Sequence, residues 1–162
     1  MKTKFTLNKI TLLLILALTT TMSFGQSSSC AADLKVEKDR NIRSTPPDGT
    51  YYTMIITNTG NSLDTFYLST VNINSSCSNT DGSSTVKNVD LEAFILDMKF
   101  VPINKISLNK GQSTSFLVHI TVPPFTTVNN WCCTKIIAKS KSCTTYKVET
   151  VLHTLVINPN ED

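Results

Sequence analysis

Histidine is scarce in this chain, which holds only His119 and His153 among its 162 residues. Zinc sites draw histidines and cysteines from short, regular spacings, and neither histidine has a carboxylate at such a spacing. The sequence also lacks a Cys-x-x-Cys pair, a Gly-x-Ser-x-Gly motif and a glycine-rich phosphate loop, in keeping with its five glycines. We therefore expect a protein that is not an enzyme and that holds no metal and no cofactor.

Catalytic carboxylate pairs are the exception to this argument, because the fold assembles them from distant parts of a chain. The candidates are Asp90, Glu92 and Asp97, which lie in a segment that we interpret as the edge of a sheet. Charges at an edge deter one sheet from pairing with another. We favour that structural role, and an enzyme with paired carboxylates stays the third hypothesis.

Long apolar runs are missing after the N-terminus. The chain begins with three lysines, an apolar run over residues 10–18 and small residues up to Gly25. This order is typical of a secretory signal peptide, and the run is about half of the ~20 residues that a membrane-spanning helix needs. We assign residues 1–25 to the signal and residues 26–162 to a single domain that is secreted or extracytoplasmic (periplasm, cell surface or extracellular), with no membrane span. Lipid attachment at Cys30 is the alternative, disfavoured by the three serines before it.

The exported part of the chain also lacks an excess of either charge. The whole sequence has 15 lysines and arginines against 12 acidic residues, and three of the lysines lie in the signal peptide. The exported part therefore carries 12 basic and 12 acidic residues. This balance gives no electrostatic preference for nucleic acid or for an anionic membrane.

Cysteine is present in an odd number, five, which in an exported chain predicts a disulfide framework with one thiol left over. Cys132 and Cys133 are adjacent. Neighbouring residues on a strand point to opposite faces, so one of the two should face inward and the other outward. Asn74 begins an Asn-Ser-Ser sequon, which could carry a glycan in a eukaryotic secretory pathway.

Two-residue alternation of apolar and polar residues, bounded by turn-forming residues, predicts an all-β fold. The clearest strand is STSFLVHITVP at residues 113–123, where His119 falls on the solvent face. The first strand should cover roughly residues 32–39, and residues 86–106 should form one or two edge strands. Alternation predicts a core of Tyr52, Met54, Ile56, Phe66, Leu68, Phe116, Val118, Ile120, Val122, Ile136 and Ala138.

The segments YTMIITNTGNSLDTFYLS, LNKGQSTSFLVHITVP and IIAKS, spread over residues 34–157, carry a family resemblance. They resemble the immunoglobulin-like modules appended to secreted glycosidases (the NPCBM-associated type) and the CARDB-like adhesion modules of bacterial surface proteins. The resemblance implies an immunoglobulin-like β-sandwich of about seven strands in two sheets. The chain differs from these modules in having five cysteines, because such modules are usually poor in cysteine.

Sandwich topology of this kind implies a disulfide connectivity. The start of the first strand and the turn between the last two strands lie at one end, which pairs Cys30 with Cys143. Cys77 lies at the opposite end, where Cys132 and Cys133 begin a strand, and should pair with one of them. We predict Cys133 as its partner and Cys132 as a buried free thiol.

The function that these patterns favour is a non-catalytic secreted or cell-surface domain with a structural or protein-interaction role. The alternative is a carbohydrate-binding module whose aromatic residues, Trp131 and Tyr67, stack on sugars. The expected partner is a protein or a glycan at the cell surface.

Overall fold

A computed structural model describes residues 30–77 and 88–158 of the chain, and these residues form nine β-strands in two sheets. The strands are β1 (Ala32–Val36), β2 (Ile42–Thr45), β3 (Thr50–Asn58), β4 (Asp64–Asn72), β5 (Glu92–Leu96), β6 (Lys105–Leu108), β7 (Ser113–Thr121), β8 (Asn130–Ser140) and β9 (Lys147–Val156). One sheet has the order β1-β3-β7-β5 and the other has the order β2-β9-β8-β4-β6. The predicted all-β, immunoglobulin-like sandwich is confirmed.

The core lies between the two sheets and follows from the alternation of residues along each strand. In β3, Tyr52, Met54 and Ile56 are fully buried, whereas Thr53 and Ile55 between them are partly exposed. Ten of the eleven residues predicted for the core are buried. Val122 is the exception, because β7 ends at Thr121 and Val122 only packs against the border of the core.

The chain changes sheets between β3 and β4, at the turn that follows Asn58. The buried side chain of Asn58 holds this turn: its Nδ2 donates to the carbonyls of Ser62 (2.8 Å) and Leu108 (2.9 Å), and its Oδ1 accepts from the Gly60 N–H. Every polar atom of the amide is thus satisfied, as a buried polar group requires. The turn therefore fixes how the first sheet meets the second.

Strand β2 was not anticipated from the sequence. It is four residues long, and it pairs in parallel with β9 at the edge of the five-stranded sheet, with Ile42 opposite His153. Its residues, IRST, show no apolar alternation, because an edge strand with a solvated face needs none. The pairing is also non-local, so no neighbouring sequence signals it.

Two strands, β5 and β6, form edges of the sheets where residues 86–106 were predicted to do so, although their bounds differ from those predicted. Strand β5 ends the four-stranded sheet and β6 ends the five-stranded sheet. The first strand stops at Val36 instead of near residue 39, because a 3-10 turn, Glu37–Asp39, follows it directly. The predicted signal peptide lies outside the described residues. Among the described residues, no helix has the length and apolar character needed to cross a bilayer.

Candidate functional site

Three ring side chains form a row on the outer face of the four-stranded sheet. Tyr51 on β3 pairs with His119 on β7, and His119 pairs with Phe94 on β5, so the row crosses three neighbouring strands. Strands lie about 4.8 Å apart in the hydrogen-bonding direction, so the Cα atoms of this row span about 10 Å. His119 lies on the solvent side of β7, as the alternation of that strand predicts.

A fourth ring, Phe100, joins this row from the turn that follows β5. Its ring centroid lies 5.7 Å from that of Tyr51, and the two ring planes are nearly perpendicular at 87°. We call the set of Tyr51, Phe94, Phe100 and His119 the aromatic face. Its three aromatic members are 40%, 48% and 61% exposed in chain order, so the face is open to solvent.

The turn that carries Phe100 is held by Asp97. The Asp97 carboxylate accepts hydrogen bonds from the N–H groups of Lys99 (2.8 Å) and Val101 (2.9 Å), and the Phe100 N–H donates to the Asp97 carbonyl. Phe100 adopts a φ of 64°, in the left-handed region that glycine or asparagine usually occupies. A phenylalanine in this conformation lowers stability, and its ring is nevertheless 61% exposed.

Two leucines support the outer face beside this turn. Leu96 on β5 lies directly opposite Leu117 on β7, and both are buried although their side chains point away from the core between the sheets. Leu96 also bridges to Pro102, which brings the end of the turn back along β5. Two buried leucines therefore lie beside the exposed rings on this outer face.

The ring planes decide what the aromatic face can contact. Tyr51 and His119 stack face to face, with centroids 4.1 Å apart and planes 3° from parallel. The second neighbour of Tyr51, Phe100, meets it at a right angle. One flat side of Tyr51 is thus covered by imidazole and is closed to a ligand.

The structure does not bring together the aromatic residues proposed for sugar stacking. Tyr67 on β4 is 45% exposed, and it pairs with Lys139 on β8. Trp131 is half-buried and lies eight positions before Lys139 on the same strand. At about 3.4 Å per residue, this separation is about 27 Å along the outer face of the five-stranded sheet. The two rings therefore do not form one platform.

The disulfides lie at opposite ends of the sandwich. Cys30 is bonded to Cys143, with Cα atoms 6.2 Å apart, and Cys77 is bonded to Cys133, with Cα atoms 6.1 Å apart. These are the pairs that the topology argument gave. The remaining cysteine, Cys132, is a buried free thiol within the core.

A histidine lies against the second disulfide. His153 on β9 is opposite Cys133 on β8, and it is only 3% exposed. Its Nδ1 lies 3.4 Å from the Sγ of Cys133 and 3.5 Å from the Sγ of Cys77. Two sulfurs and a ring nitrogen are the donor atoms of a thiophilic metal site, but here both sulfurs are bonded to each other.

Two asparagines, Asn74 and Asn88, lie beside this disulfide. The Asn74 Nδ2 donates to the Val89 carbonyl (2.6 Å) and to the Asp90 carboxylate (2.7 Å), and its Oδ1 accepts from the Cys133 N–H. The Asn88 Nδ2 lies 3.6 Å from the Cys133 Sγ. The Asn74 amide nitrogen, where the sequon would place a glycan, therefore already donates two hydrogen bonds within the protein.

Cys132 does not take part in this cluster, because it points to the other face of β8. Burial raises the pKa of its thiol above the usual value, although a hydrogen bond with Thr134 opposes this effect. A thiol that stays protonated is a poor nucleophile and a poor metal ligand. Cys132 therefore acts as a small core residue.

The acidic residues considered as catalytic candidates have structural partners or an edge position. Asp97 holds the Phe100 turn and Asp90 accepts from Asn74, as described above, while Glu92 is exposed at the start of the edge strand β5. None of these positions needed a catalytic role to explain it. The sequence did not reveal the aromatic face or the burial of His153, because both depend on pairing between distant strands.

Several solved structures resemble the fold of this chain. A family 123 glycoside hydrolase from Clostridium perfringens matches with a TM-score of 0.53 and 11% identity, over 79% of this chain and 28% of that protein. A FixG-related protein from Vibrio parahaemolyticus matches with a TM-score of 0.49 and 9% identity, over 80% and 97% of the two chains. A PapD-like domain of human CEP192 matches with a TM-score of 0.48 and 7% identity, over 86% and 92%.

No protein-family model and no curated protein sequence matches the chain. The chain spans about a quarter of the length of the glycoside hydrolase, so its likeness concerns one part of that enzyme. At identities this low, the structural matches show the fold alone. What the chain shares with these proteins is the immunoglobulin-like β-sandwich fold.

Proposed function

We propose that this chain is an exported, non-catalytic immunoglobulin-like domain that binds a protein partner through the aromatic face. The observation that carries the proposal is the exposed Phe100, presented on a backbone conformation that costs stability and contacting the exposed Tyr51. Exposed aromatic rings on an apolar base are typical of protein interfaces, in which a few such residues supply most of the binding energy. The resemblance to adhesion modules of bacterial surface proteins agrees with this role.

The geometry favours a protein over a glycan as the partner. A sugar ring stacks on an open, flat aromatic side, and one flat side of Tyr51 is already occupied by stacking with His119, while the Phe100 ring meets Tyr51 at a right angle. Ring edges and the gaps between them instead suit the aliphatic side chains of a protein surface. The face also borders β5, the edge strand of its sheet, where a partner can approach from the side.

The disulfides support an extracytoplasmic location for this domain. Disulfides persist in oxidising compartments and are rare in the cytosol. Each of the two closes a long loop, with sequence separations of 113 and 56 residues. Such bridges stabilise a folded domain by restricting its unfolded chain.

Site-specific cross-linking in the exporting cells tests the proposal. A photoreactive phenylalanine analogue at position 100 should cross-link to one defined protein, and the yield should fall when Tyr51→Ala is added. The matched control places the analogue at Tyr67, which has similar exposure on the opposite sheet. Equal cross-linking from positions 67 and 100 would show that the aromatic face is not the interface.

Binding with the identified partner then measures the face directly. Tyr51→Ala and Phe94→Ala together should weaken binding by roughly tenfold or more, as expected for central aromatic contacts. Tyr67→Ala should leave the affinity unchanged. Binding to polysaccharides that is lost in Trp131→Ala would instead support carbohydrate recognition and refute the protein interface.

A further inference from the structure

The two disulfides of this protein each join a buried cysteine to a half-buried one, but we find different groups around them. In each, one cysteine is buried and its partner is half-buried: Cys30 with Cys143 at one end, and Cys133 with Cys77 at the other. The half-buried cysteine of each bond is the one that a soluble thiol approaches more easily. The groups around the buried sulfur, which then leaves, can make the two bonds differ in reactivity.

Polar groups surround the buried sulfur of the second disulfide. The His153 Nδ1 lies 3.4 Å from the Cys133 Sγ, and the Asn88 Nδ2 lies 3.6 Å from the same atom. Both nitrogens can donate to sulfur, and a thiolate accepts such bonds far better than a disulfide does. Both histidines of the chain lie away from Cys30 and Cys143, since His119 belongs to the aromatic face and His153 contacts the other disulfide.

We propose that the Cys77–Cys133 disulfide is a thiol-exchange site for an external dithiol, with Cys77 as the sulfur that is attacked and Cys133 as the leaving thiolate. The incoming thiol loses its proton to solvent and its sulfur bonds to the Cys77 Sγ. The Cys77–Cys133 bond breaks, and its electron pair stays on the Cys133 Sγ, where His153 and Asn88 donate hydrogen bonds to it. This thiolate then takes a proton from solvent.

A dithiol completes the exchange. Its second thiol attacks the mixed disulfide, expels the Cys77 thiolate and closes a disulfide within the reagent. The protein gains two electrons and two protons, and the dithiol loses the same number. Leaving thiolates that are stabilised by nearby donors depart faster, which is the basis of the site's selectivity.

Opening this bond has a structural consequence near the same strand. Cys77 follows directly after the 3-10 turn Asn74–Ser76, which the disulfide and the Asn74 amide both attach to β8. Reduction removes one of these two attachments. Reduction of this disulfide should therefore loosen the attachment of residues 74–77 to β8.

Competition between the two disulfides in one molecule tests the proposal. The oxidised protein is treated with dithiothreitol for increasing times, alkylated and mapped by mass spectrometry. Cys77 and Cys133 should be alkylated roughly tenfold faster than Cys30 and Cys143, because His153 and Asn88 stabilise the Cys133 thiolate as it leaves. With glutathione as a monothiol probe, the mixed disulfide should form on Cys77 and not on Cys133.

Variants separate this role from a purely structural one. His153→Ala should slow the opening of Cys77–Cys133 several-fold while leaving Cys30–Cys143 unchanged, and Asn88→Ala should act in the same direction with less risk to the fold. If His153→Ala speeds the opening of both disulfides equally, that variant has unfolded. Asn88→Ala then decides the test. Equal rates for the two disulfides in the unmodified protein, or a glutathione adduct on Cys133, would overturn the proposal.

Discussion

The hydroxyl of Tyr52 joins the two sheets of the sandwich, lying 2.9 Å from the Oγ1 of Thr154. It also donates to the His153 carbonyl at 2.8 Å, so a side chain from β3 is bonded to two consecutive residues of β9. The Tyr52 ring is completely buried, and the guanidinium carbon of Arg43 lies 5.3 Å from its centroid. The core is thus held by a polar link as well as by apolar packing.

Removing this hydroxyl should destabilise the protein. Tyr52→Phe leaves the Thr154 hydroxyl and the His153 carbonyl without this partner, at an expected cost of about 1–3 kcal/mol in the free energy of unfolding. Urea denaturation measures the change. Tyr51→Phe is the control, because its ring is partly exposed on the outer face and its hydroxyl contributes no such link between the sheets.

The same hydroxyl predicts a loss of stability at alkaline pH. Burial raises the pKa of Tyr52 to about 12, above its ordinary value of 10.0, against the opposing hydrogen bond with Thr154. The raised value means that this contribution to stability is complete below pH 10 and falls as pH rises toward 12, by up to about 3 kcal/mol. The difference in unfolding free energy between the protein and Tyr52→Phe should therefore shrink over this range. A constant difference from pH 8 to pH 12 would contradict the raised pKa.

The sequence predicts the inside of this sandwich better than its outside. Burial forces period-two alternation on strands such as β3, so Tyr52, Met54 and Ile56 could be assigned to the core from local pattern alone. The partners of an outer-face residue depend instead on the register between strands that are far apart in sequence. Tyr51 meets His119 across 68 positions, and the pattern of neither strand shows this.

The burial of His153 is a second feature that the local sequence pattern could not predict. Its strand, KVETVLHTLV, places it on the outer face, where a histidine is usually solvated. It is buried because β2 pairs beside it and the Cys77 segment covers it. Both contacts are long-range, and β2 carries no pattern that would have predicted the first of them.

Substitutions at two neighbouring residues of β7 test the register of that strand. Ile120→Ala should lower stability by about 2–4 kcal/mol, because Ile120 is fully buried and its truncation leaves a cavity. His119→Ala should cost well under about 1 kcal/mol, since it removes a partly exposed ring from the outer face. Thermal or urea unfolding of the two variants gives the comparison. Similar losses in both would mean that the faces of β7 are exchanged.

A glycine in the turn before β3 should be intolerant of substitution. Gly49 has a φ of 97°, and a Cβ there would lie 2.4 Å from the carbonyl oxygen of Ile120. Gly49→Ala should therefore cost roughly 3 kcal/mol or more, from backbone strain and from displacement of β7. Gly111→Ala is the matched control, because Gly111 also has a positive φ, of 72°, but its Cβ would meet no atom within 4 Å. Its cost should stay near the ~1–2 kcal/mol of the left-handed conformation alone.

Asp64 should make the protein sensitive to acid. Its buried carboxylate accepts hydrogen bonds from the Ser140 hydroxyl and from the N–H groups of Thr65 and Ser142, and so connects the start of β4 to the end of β8. Burial alone would raise the pKa of Asp64, but these hydrogen bonds outweigh it and hold the pKa below the ordinary 3.8. Because the folded pKa is depressed, the stabilisation is present above pH 3.8 and is lost as pH falls through the folded value.

Asp64→Asn should therefore lower stability at pH 7 by about 1–3 kcal/mol, through the loss of charge-assisted hydrogen bonds. The difference between the protein and this variant should shrink below pH 4, where the native carboxylate also becomes protonated. Urea denaturation from pH 2.5 to pH 7 follows both effects. Asp33→Asn is the control, because Asp33 and its partner Lys35 are each about half exposed and such pairs contribute little. If Asp64→Asn and Asp33→Asn show the same pH dependence, the buried carboxylate is not the acid-sensitive link between β4 and β8.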